Sequence, residues 1–172
     1  GDDPAAEPGC DPLPVPQAAT GILGPQEDGT FLGHNGRRSG GIGSSVALDA
    51  VSQGFVTHPV APLAYVTAFG RDGRRLQVVD FERGEVLQDV AVAAAGKAVL
   101  SPAADRLFVP LGTSQRVASF TVGGDGLLTA GPTVDVGVRA VGALVSVDGS
   151  TLWVSGYVES RLVAVDLATL QV

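Results

Sequence analysis

A unit of 43 to 45 residues occurs three times in the second part of this chain. Its marker is an aromatic residue within a short apolar run, and the three aromatic residues, Tyr65, Phe108 and Trp153, lie 43 and 45 residues apart. A turn segment rich in Ser, Pro, Asp or Gly precedes each aromatic residue. A second alternating apolar run follows each one, and these runs cover residues 76–80, 117–121 and 162–166.

This repeat predicts stacked β-sheets. Alternation of apolar and polar residues between Gly, Pro, Asp and Ser clusters is typical of strands joined by hairpins. About four short strands in every 43 to 45 residues is the spacing of a β-propeller blade. A single blade cannot cover both of its faces, so it must stack on its neighbours. An ordinary β-sandwich with fortuitous alternation is the alternative.

The predicted fold is therefore all-β, with about three four-stranded antiparallel blades. We expect the blades at about residues 53–95, 96–138 and 139–172, within a partial propeller that covers 51–172. The chain has 24 Gly and 11 Pro, which are unfavourable inside helices, so a helical bundle is excluded. A single Cys excludes a disulfide scaffold.

Residues 1–50 differ from the rest and predict an acidic linker followed by a loop. Six Pro residues fall within 1–30, and residues 1–50 carry a net charge of −5. Such a segment favours an extended tether, and the glycine-rich stretch 33–45 predicts a flexible loop. Cys10 is interpreted as a loop thiol that pairs outside this chain, with a lipid anchor as the alternative.

Two classes of partner are excluded by charge and hydropathy. The formal net charge of −7 does not provide the basic surface that nucleic acid requires. The longest apolar run, at 90–96, is far shorter than the roughly 18 residues that a membrane-spanning helix needs.

The motifs resemble those of the YVTN-type β-propeller repeat. The resemblance rests on the segment Ser-Val-Asp-Gly-Ser-Thr-Leu-Trp-Val at 146–154, on Arg-Leu-Val-Ala-Val-Asp-Leu at 161–167, and on Tyr-Val-Thr at 65–67. Residues 117–129, which end in Asp-Gly-Leu-Leu-Thr, are similar to the lactonase branch of that superfamily. The resemblance implies a propeller that commonly has seven blades. Three blades would then be a piece of a longer protein, with the remaining blades as partners.

Propeller ligands approach the end of the stack where the first strands begin. Lys97 and Arg139 precede predicted first strands, and the connections between second and third strands hold the other candidates, namely Arg71, Asp72, Arg74, Arg116, Tyr157 and Glu159. Several Arg side chains could bind a small anionic ligand through carboxylate or phosphate oxygens. The alternative is that these are solvated turn residues.

The sequence gives little indication of a metal site, a cofactor or a catalytic residue. His34 is a weak candidate for a metal ligand, whereas His58 occupies the repeat position of Ser101 and Ser146, so a turn-capping role is predicted for it. The three Asp-Gly pairs, at 72–73, 125–126 and 148–149, predict hairpin turns. No cofactor and no catalytic residue is predicted.

Three functions follow as hypotheses. The first is a secreted or periplasmic binding or scaffolding module, tethered by its N-terminus and without catalysis of its own, which contacts a protein chain or a small anion. The second, which the resemblance implies, is a lactonase-like hydrolase whose site is completed by further blades. The third is the propeller part of a redox protein associated with a c-type cytochrome or peroxidase.

Overall fold

A computed structural model describes residues 24–25, 31–32, 38–39, 46–48, 50–93, 96–112 and 114–172. The chain divides into two compact units, Gly1–Ser44 and Ser45–Val172. In the first unit, three two-residue strands form an antiparallel sheet: β1 (Gly24–Pro25), β2 (Phe31–Leu32) and β3 (Arg38–Ser39). The predicted linker and loop thus contain strand pairing at these six residues. Cys10 and His34 lie outside the described residues.

The second unit contains three consecutive antiparallel sheets. The first consists of β4 (Ala50–Thr57), β5 (Leu63–Gly70), β6 (Gly73–Asp80) and β7 (Glu85–Val92). The second consists of β8 (Val99–Leu100), β9 (Arg106–Pro110), β10 (Arg116–Val122) and β11 (Leu128–Asp135). The third consists of β12 (Ala140–Val145), β13 (Thr151–Gly156) and β14 (Leu162–Asp166).

Each of these sheets is a meander in which sequence neighbours pair. In the third sheet, a bridge between Asp166 and Gln171 marks the position where a fourth strand would begin. No α-helix is present among the described residues, and none of them forms a helix that is long and apolar enough to span a membrane. The all-β prediction is confirmed.

The sheets stack face to face through two apolar clusters. Between the first and second sheets, Leu63, Tyr65 and Leu76 pack with Leu107, Val109 and Phe120, among others. Between the second and third sheets, Phe108 and Val117 pack with Leu152, Val154 and Val163, among others. Adjacent residues of one strand therefore pack against different sheets. In β9, Leu107 packs against the first sheet and Phe108 against the third. Both faces of the second sheet are buried by its neighbours. Stacking thus supplies the hydrophobic core that a single sheet lacks.

The structure confirms the turns that the sequence predicts at the three Asp-Gly pairs and at His58. Gly73, Gly126 and Gly149 have φ of 111°, 79° and 74°, a backbone conformation that glycine adopts without strain. Each follows the Asp of a predicted Asp-Gly turn. The Nδ1 atom of His58 accepts hydrogen bonds from the backbone N–H groups of Val60, at 3.2 Å, and Ala61, at 2.9 Å. The turn-capping role predicted for His58 is thus confirmed.

Polar contacts tie each sheet to the next one. Tyr65 Oη donates a hydrogen bond to the carbonyl of Gly126 at 3.1 Å, and Arg106 Nη1 donates to the carbonyl of Leu167 at 2.9 Å. Burial, and secondarily the carboxylate of Asp125, raise the pKa of Tyr65 above its ordinary value, so the phenol stays protonated as a donor.

The outer strands of the first two sheets are joined by one side chain. The amide of Gln88 in β7 donates to the carbonyl of Leu128 at 2.8 Å and accepts from the N–H of Leu128 at 2.7 Å. The side-chain amide thereby makes the two hydrogen bonds that a backbone amide makes between paired strands, although these two strands belong to different sheets.

Trp153 differs in exposure from the other two repeated aromatic residues. Tyr65 and Phe108 are fully buried, whereas Trp153 is 40% exposed. All three occupy the third position of the second strand of their sheet. Tyr65 and Phe108 pack in the clusters formed with the following sheet, and no described residues form a sheet that follows Trp153. Its exposure is therefore a property of its surroundings, not of its own strand.

Candidate functional site

The antiparallel meanders place two kinds of connection at one end of the stack. The first and third strands of every sheet begin at this end, and the second and fourth strands end there. Connections between second and third strands therefore lie beside the segments that lead into first strands. All eight residues that the sequence singles out as ligand-binding candidates lie at this end: Arg71, Asp72, Arg74, Lys97, Arg116, Arg139, Tyr157 and Glu159. Their binding role stays a prediction.

Charge is segregated between the two ends of the stack. Within the described part of the second unit, seven basic and four acidic side chains lie in the half of the sheets nearer this end, a net of +3. They are Arg71, Arg74, Arg75, Lys97, Arg116, Arg139 and Arg161, with Asp72, Asp89, Asp135 and Glu159. We call this half the basic end.

The opposite half, the acidic end, carries the reverse balance. Two basic and seven acidic side chains lie there, a net of −5: Arg83 and Arg106, with Asp80, Glu82, Glu85, Asp105, Asp125, Asp148 and Asp166. These described side chains therefore make the basic end electrostatically more favourable for an anion than the acidic end.

Three of the predicted residues meet at the third sheet. The backbone N–H of Arg139 donates to Glu159 Oε2 at 3.1 Å, and the N–H of Tyr157 donates to the carbonyl of Arg139 at 3.0 Å. Desolvation acts to raise the pKa of Glu159. The hydrogen bonds from backbone N–H groups, with that of Arg139 the largest, and the Arg139 charge outweigh it and hold the pKa below its ordinary value. Glu159 is thus ionised and fixes the segment that leads into β12.

The other predicted residues are not joined into one cluster by any contact among the described residues. Arg71 and Asp72 form the exposed turn between β5 and β6. The guanidinium of Arg74 lies over the ring of Phe69, 5.6 Å from its centroid. Lys97 lies beside the backbone of Gly54, where an added Cβ would be 3.1 Å from Lys97 Cγ. Arg116 is exposed at the start of β10. The basic side chains named here therefore lie apart from one another and do not form a single cluster.

Sequence reasoning missed two members of the basic end, Arg75 and Arg161. Arg161 directly precedes β14, and Arg75 lies near the start of β6. The repeat could have identified Arg161, because Arg116 and Arg161 each lie eight residues after the repeated aromatic residue of their unit. Arg75 is partly neutralised by Asp89, whose Oδ2 lies 3.4 Å from Arg75 Nε.

The described residues contain no group of three or more His, Cys, Asp or Glu side chains that could hold a metal ion. The basic residues of the basic end offer guanidinium and ammonium groups. Arg side chains bind carboxylate and phosphate oxygens through paired N–H donors.

Comparison with known proteins bears on the fold. No known protein-family profile matches the sequence, and no curated protein matches it. Among solved structures, a protein of unknown function from Desulfotomaculum acetoxidans matches with a TM-score of 0.61 and 15% identity, over 67% of this chain and 38% of that one.

Two further solved structures match over a similar share. A candidate 6-phosphogluconolactonase from Bacteroides fragilis has a TM-score of 0.61 and 19% identity, over 70% of this chain and 36% of that one. A β-propeller domain from Myceliophteria thermophila has a TM-score of 0.60 and 13% identity, over 70% of this chain and 39% of that one. This chain spans well under half the length of these three structures, and its stacked antiparallel sheets are blades of a β-propeller.

Proposed function

We propose that this chain is part of a β-propeller that serves as a binding or scaffolding module, and that its basic end receives an anionic ligand. The observation that carries the proposal is the segregation of charge, with a net of +3 at one end of the sheets and −5 at the other. In a chain with a net charge of −7, a local excess of cations is a specific arrangement of the surface. Charge complementarity of this kind steers anions toward one site.

The location of the cations supports the same proposal. They lie in connections and at strand ends, where side chains can reach a ligand without disturbing the stacked sheets. All of the seven basic residues except Arg75 are exposed, and three of them, Arg71, Lys97 and Arg116, each lie in or beside a different connection. A ligand with several carboxylates or phosphates could engage more than one of them, which favours polyvalent anions over monovalent ones.

Titration with citrate and with inorganic phosphate tests this proposal. We expect citrate to bind more tightly than phosphate and to lose affinity as salt is raised from about 0.05 to 0.5 M, because salt screens exposed charges. Arg116→Gln should weaken citrate binding by about tenfold, the effect of losing one charge-assisted hydrogen bond. Arg83→Gln, the same change at the acidic end, is the matched control and should leave binding unaltered.

Two results would contradict the proposal. One is the absence of citrate binding at low salt in a folded chain. The other is an equal loss of affinity in Arg116→Gln and Arg83→Gln, because net charge alone would then explain the binding.

A lactonase-like hydrolase is the second candidate. It is supported by the phosphorylated substrate that the name of the Bacteroides fragilis protein implies, since such a substrate is an anion suited to a basic end. Because further blades complete the site in this hypothesis, the test is hydrolysis of 6-phosphogluconolactone above the spontaneous rate, followed by acid release, with a chain that includes those blades. Turnover that Arg116→Gln reduces and Arg83→Gln does not would favour the hydrolase. Citrate binding without turnover would favour the binding module.

Two further parts of the hypothesis are proposals as well. Membership of the YVTN-type repeat family is supported by the motifs at 65–67, 146–154 and 161–167. A secreted or periplasmic location, with the N-terminal segment as a tether, is supported by the six Pro residues and the net charge of −5 in residues 1–50.

A further inference from the structure

The third strands of the three stacked sheets carry an arginine at the same register position. In each sheet the repeated aromatic residue pairs with a third-strand residue: Tyr65 with Val78, Phe108 with Ser119 and Trp153 with Ala164. The residues three positions before these partners are Arg75, Arg116 and Arg161. Spacing along the sequence hides the first of them, because Arg75 follows its aromatic residue by ten positions and the other two follow theirs by eight. We call these three residues the arginine row.

The side chains of the arginine row leave their sheets on equivalent sides, because side chains alternate along a strand. In the second and third sheets, the residue two positions after the arginine, Ala118 or Val163, packs against the preceding sheet. In the first sheet, Leu76 packs against the following sheet, so the arginine before it lies on the opposite side, as in the other two sheets. One cation is thus repeated in one orientation from each sheet to the next.

The turns that lead into the second and third members of the row share an unusual backbone. Gln115 and Ser160, which directly precede Arg116 and Arg161, have φ of 57° and 48°. This is the left-handed region, where a residue other than glycine persists only when its surroundings hold it there. In both sheets the carbonyl of the arginine then accepts a backbone hydrogen bond of 2.8 Å from a residue at or just past the end of the second strand. The backbone therefore presents these two arginines in the same way.

The arginine row is not a continuous stripe of positive charge. Arg116 and Arg161 are exposed, and the side chain of Arg75 is 32% exposed, with its Nε 3.4 Å from Asp89 Oδ2. Asp135 is the cross-strand neighbour of Arg116. A ligand that is charged at every unit would meet these carboxylates as well as the cations. A ligand with separated charges can place them on the arginines and leave neutral units beside the carboxylates.

The separation of the arginines indicates the kind of ligand. Stacked sheets lie about 10 Å apart, so the cations of the row recur at about this interval. A peptide in the polyproline II conformation has three residues per turn and rises about 3.1 Å per residue, which brings every third side chain to one side at intervals of about 9 Å. The flexible arginine side chains can absorb the small difference between these two intervals.

We propose, resting on the anion-binding function proposed above, that the ligand of the basic end is an acidic peptide segment with Asp or Glu at every third residue. The segment lies across the three sheets and pairs one carboxylate with each member of the arginine row. Each guanidinium donates N–H groups to the carboxylate oxygens. Because one chain carries all three carboxylates, three modest contacts combine into a higher affinity.

Two peptide isomers test the spacing. One consists of three repeats of Asp-Ala-Pro with acetylated and amidated ends, and the other has the same nine residues with its three Asp adjacent. The two isomers carry equal charge. We expect the 172-residue chain to bind the spaced isomer about tenfold more tightly than the clustered one at about 0.05 M salt, because only the spaced isomer reaches all three arginines. Fluorescence polarisation of labelled peptides measures both affinities.

A matched pair of variants distinguishes the arginine row from the rest of the basic end. Arg116→Gln removes the middle of the row and should lower the preference for the spaced isomer to less than about twofold. Arg71→Gln removes an exposed arginine from the same end but outside the row, so it should weaken both isomers alike and leave the ratio of their affinities unchanged. Circular dichroism checks that both variants fold as the parent chain does.

Three results would overturn the peptide ligand: equal affinity for the two isomers, a ratio that Arg71→Gln lowers as much as Arg116→Gln does, or tighter binding of linear polyphosphate than of the spaced isomer. The last result would identify a uniformly charged polyanion as the ligand. In each case, citrate binding that Arg116→Gln weakens would still support the basic end as an anion site. If neither citrate nor any of these probes bound at low salt, the proposed anion-binding function would be overturned as well.

Discussion

At the scale of single residues, Leu144 and Leu152 belong to adjacent strands but face opposite sides of the third sheet. Leu152 is fully buried against the second sheet, and Leu144 is 63% exposed on the other face of the third sheet. We expect Leu152→Ala to lower the free energy of unfolding by about 2–5 kcal/mol, because it leaves a cavity. Leu144→Ala should change it by less than about 1 kcal/mol. Urea denaturation measures both, and equal losses would contradict the assignment of faces.

The same residues show how far the sequence predicts burial. The repeat correctly aligned Trp153 with Tyr65 and Phe108. Alternation along a strand also places neighbours such as Leu152 and Trp153 on opposite faces. The exposure of Trp153 could not be predicted in this way. Periodicity reports which side of its own strand a residue occupies, whereas exposure depends on whether another sheet lies there. His58 was predictable because its capping contacts reach only two and three residues along the chain.

At the scale of elements, the turn between β10 and β11 fits closely against the first sheet. A Cβ added at Gly126 would lie 2.1 Å from Leu63 Cδ1, and this residue has a φ of 79°. Gly126→Ala should therefore cost about 1–3 kcal/mol of stability, through backbone strain and overpacking.

Gly124 in the same turn is the matched control. No atom lies within 4 Å of a Cβ built there, and its φ is not in the left-handed region, so Gly124→Ala should be nearly neutral. Thermal denaturation distinguishes the two variants. A neutral Gly126→Ala would mean that the turn does not pack on Leu63. The sequence predicted the Asp-Gly turn itself but not this contact, since the two residues lie in different repeats.

At the scale of the whole molecule, two carboxylates of the acidic end stabilise their own turns. Hydrogen bonds from Ser146 and Ser150 lower the pKa of Asp148, and hydrogen bonds from Thr169 lower that of Asp166. A native pKa below the ordinary value of about 3.9 stabilises the fold above that pH, and this contribution is lost as the pH falls through the native pKa. The chain should therefore lose stability steadily below about pH 4.

The double variant Asp148→Asn and Asp166→Asn tests this pH dependence. Its urea midpoint should be lower than that of the parent chain at pH 7 and should fall less steeply between about pH 5 and 2, because two linked carboxylates are gone. If the urea midpoints of the two proteins fall equally as the pH is lowered, the ionisation of Asp148 and Asp166 does not contribute to the pH dependence of stability.

The basic end was predicted in outline only. The repeat placed Lys97 and Arg139 in the correct connections, and it placed Arg116, the first residue of β10, at the correct end of the stack. The order of strands in a meander fixes which connections share an end. The sequence could not show that Arg139, Tyr157 and Glu159 meet, since their contacts depend on how the chain folds back between β13 and β14. The opposed charge of the two ends emerges only once strand directions are assigned.

The amide of Gln88 has a mechanical consequence. Its two hydrogen bonds to Leu128 lie at the outermost strands, where a force that pries the first two sheets apart has its longest lever arm. Both hydrogen bonds are made by the one amide group of Gln88. We therefore expect them to break together when the two sheets separate. The first two sheets are thus held together at their outer strands as well as through the apolar cluster between them.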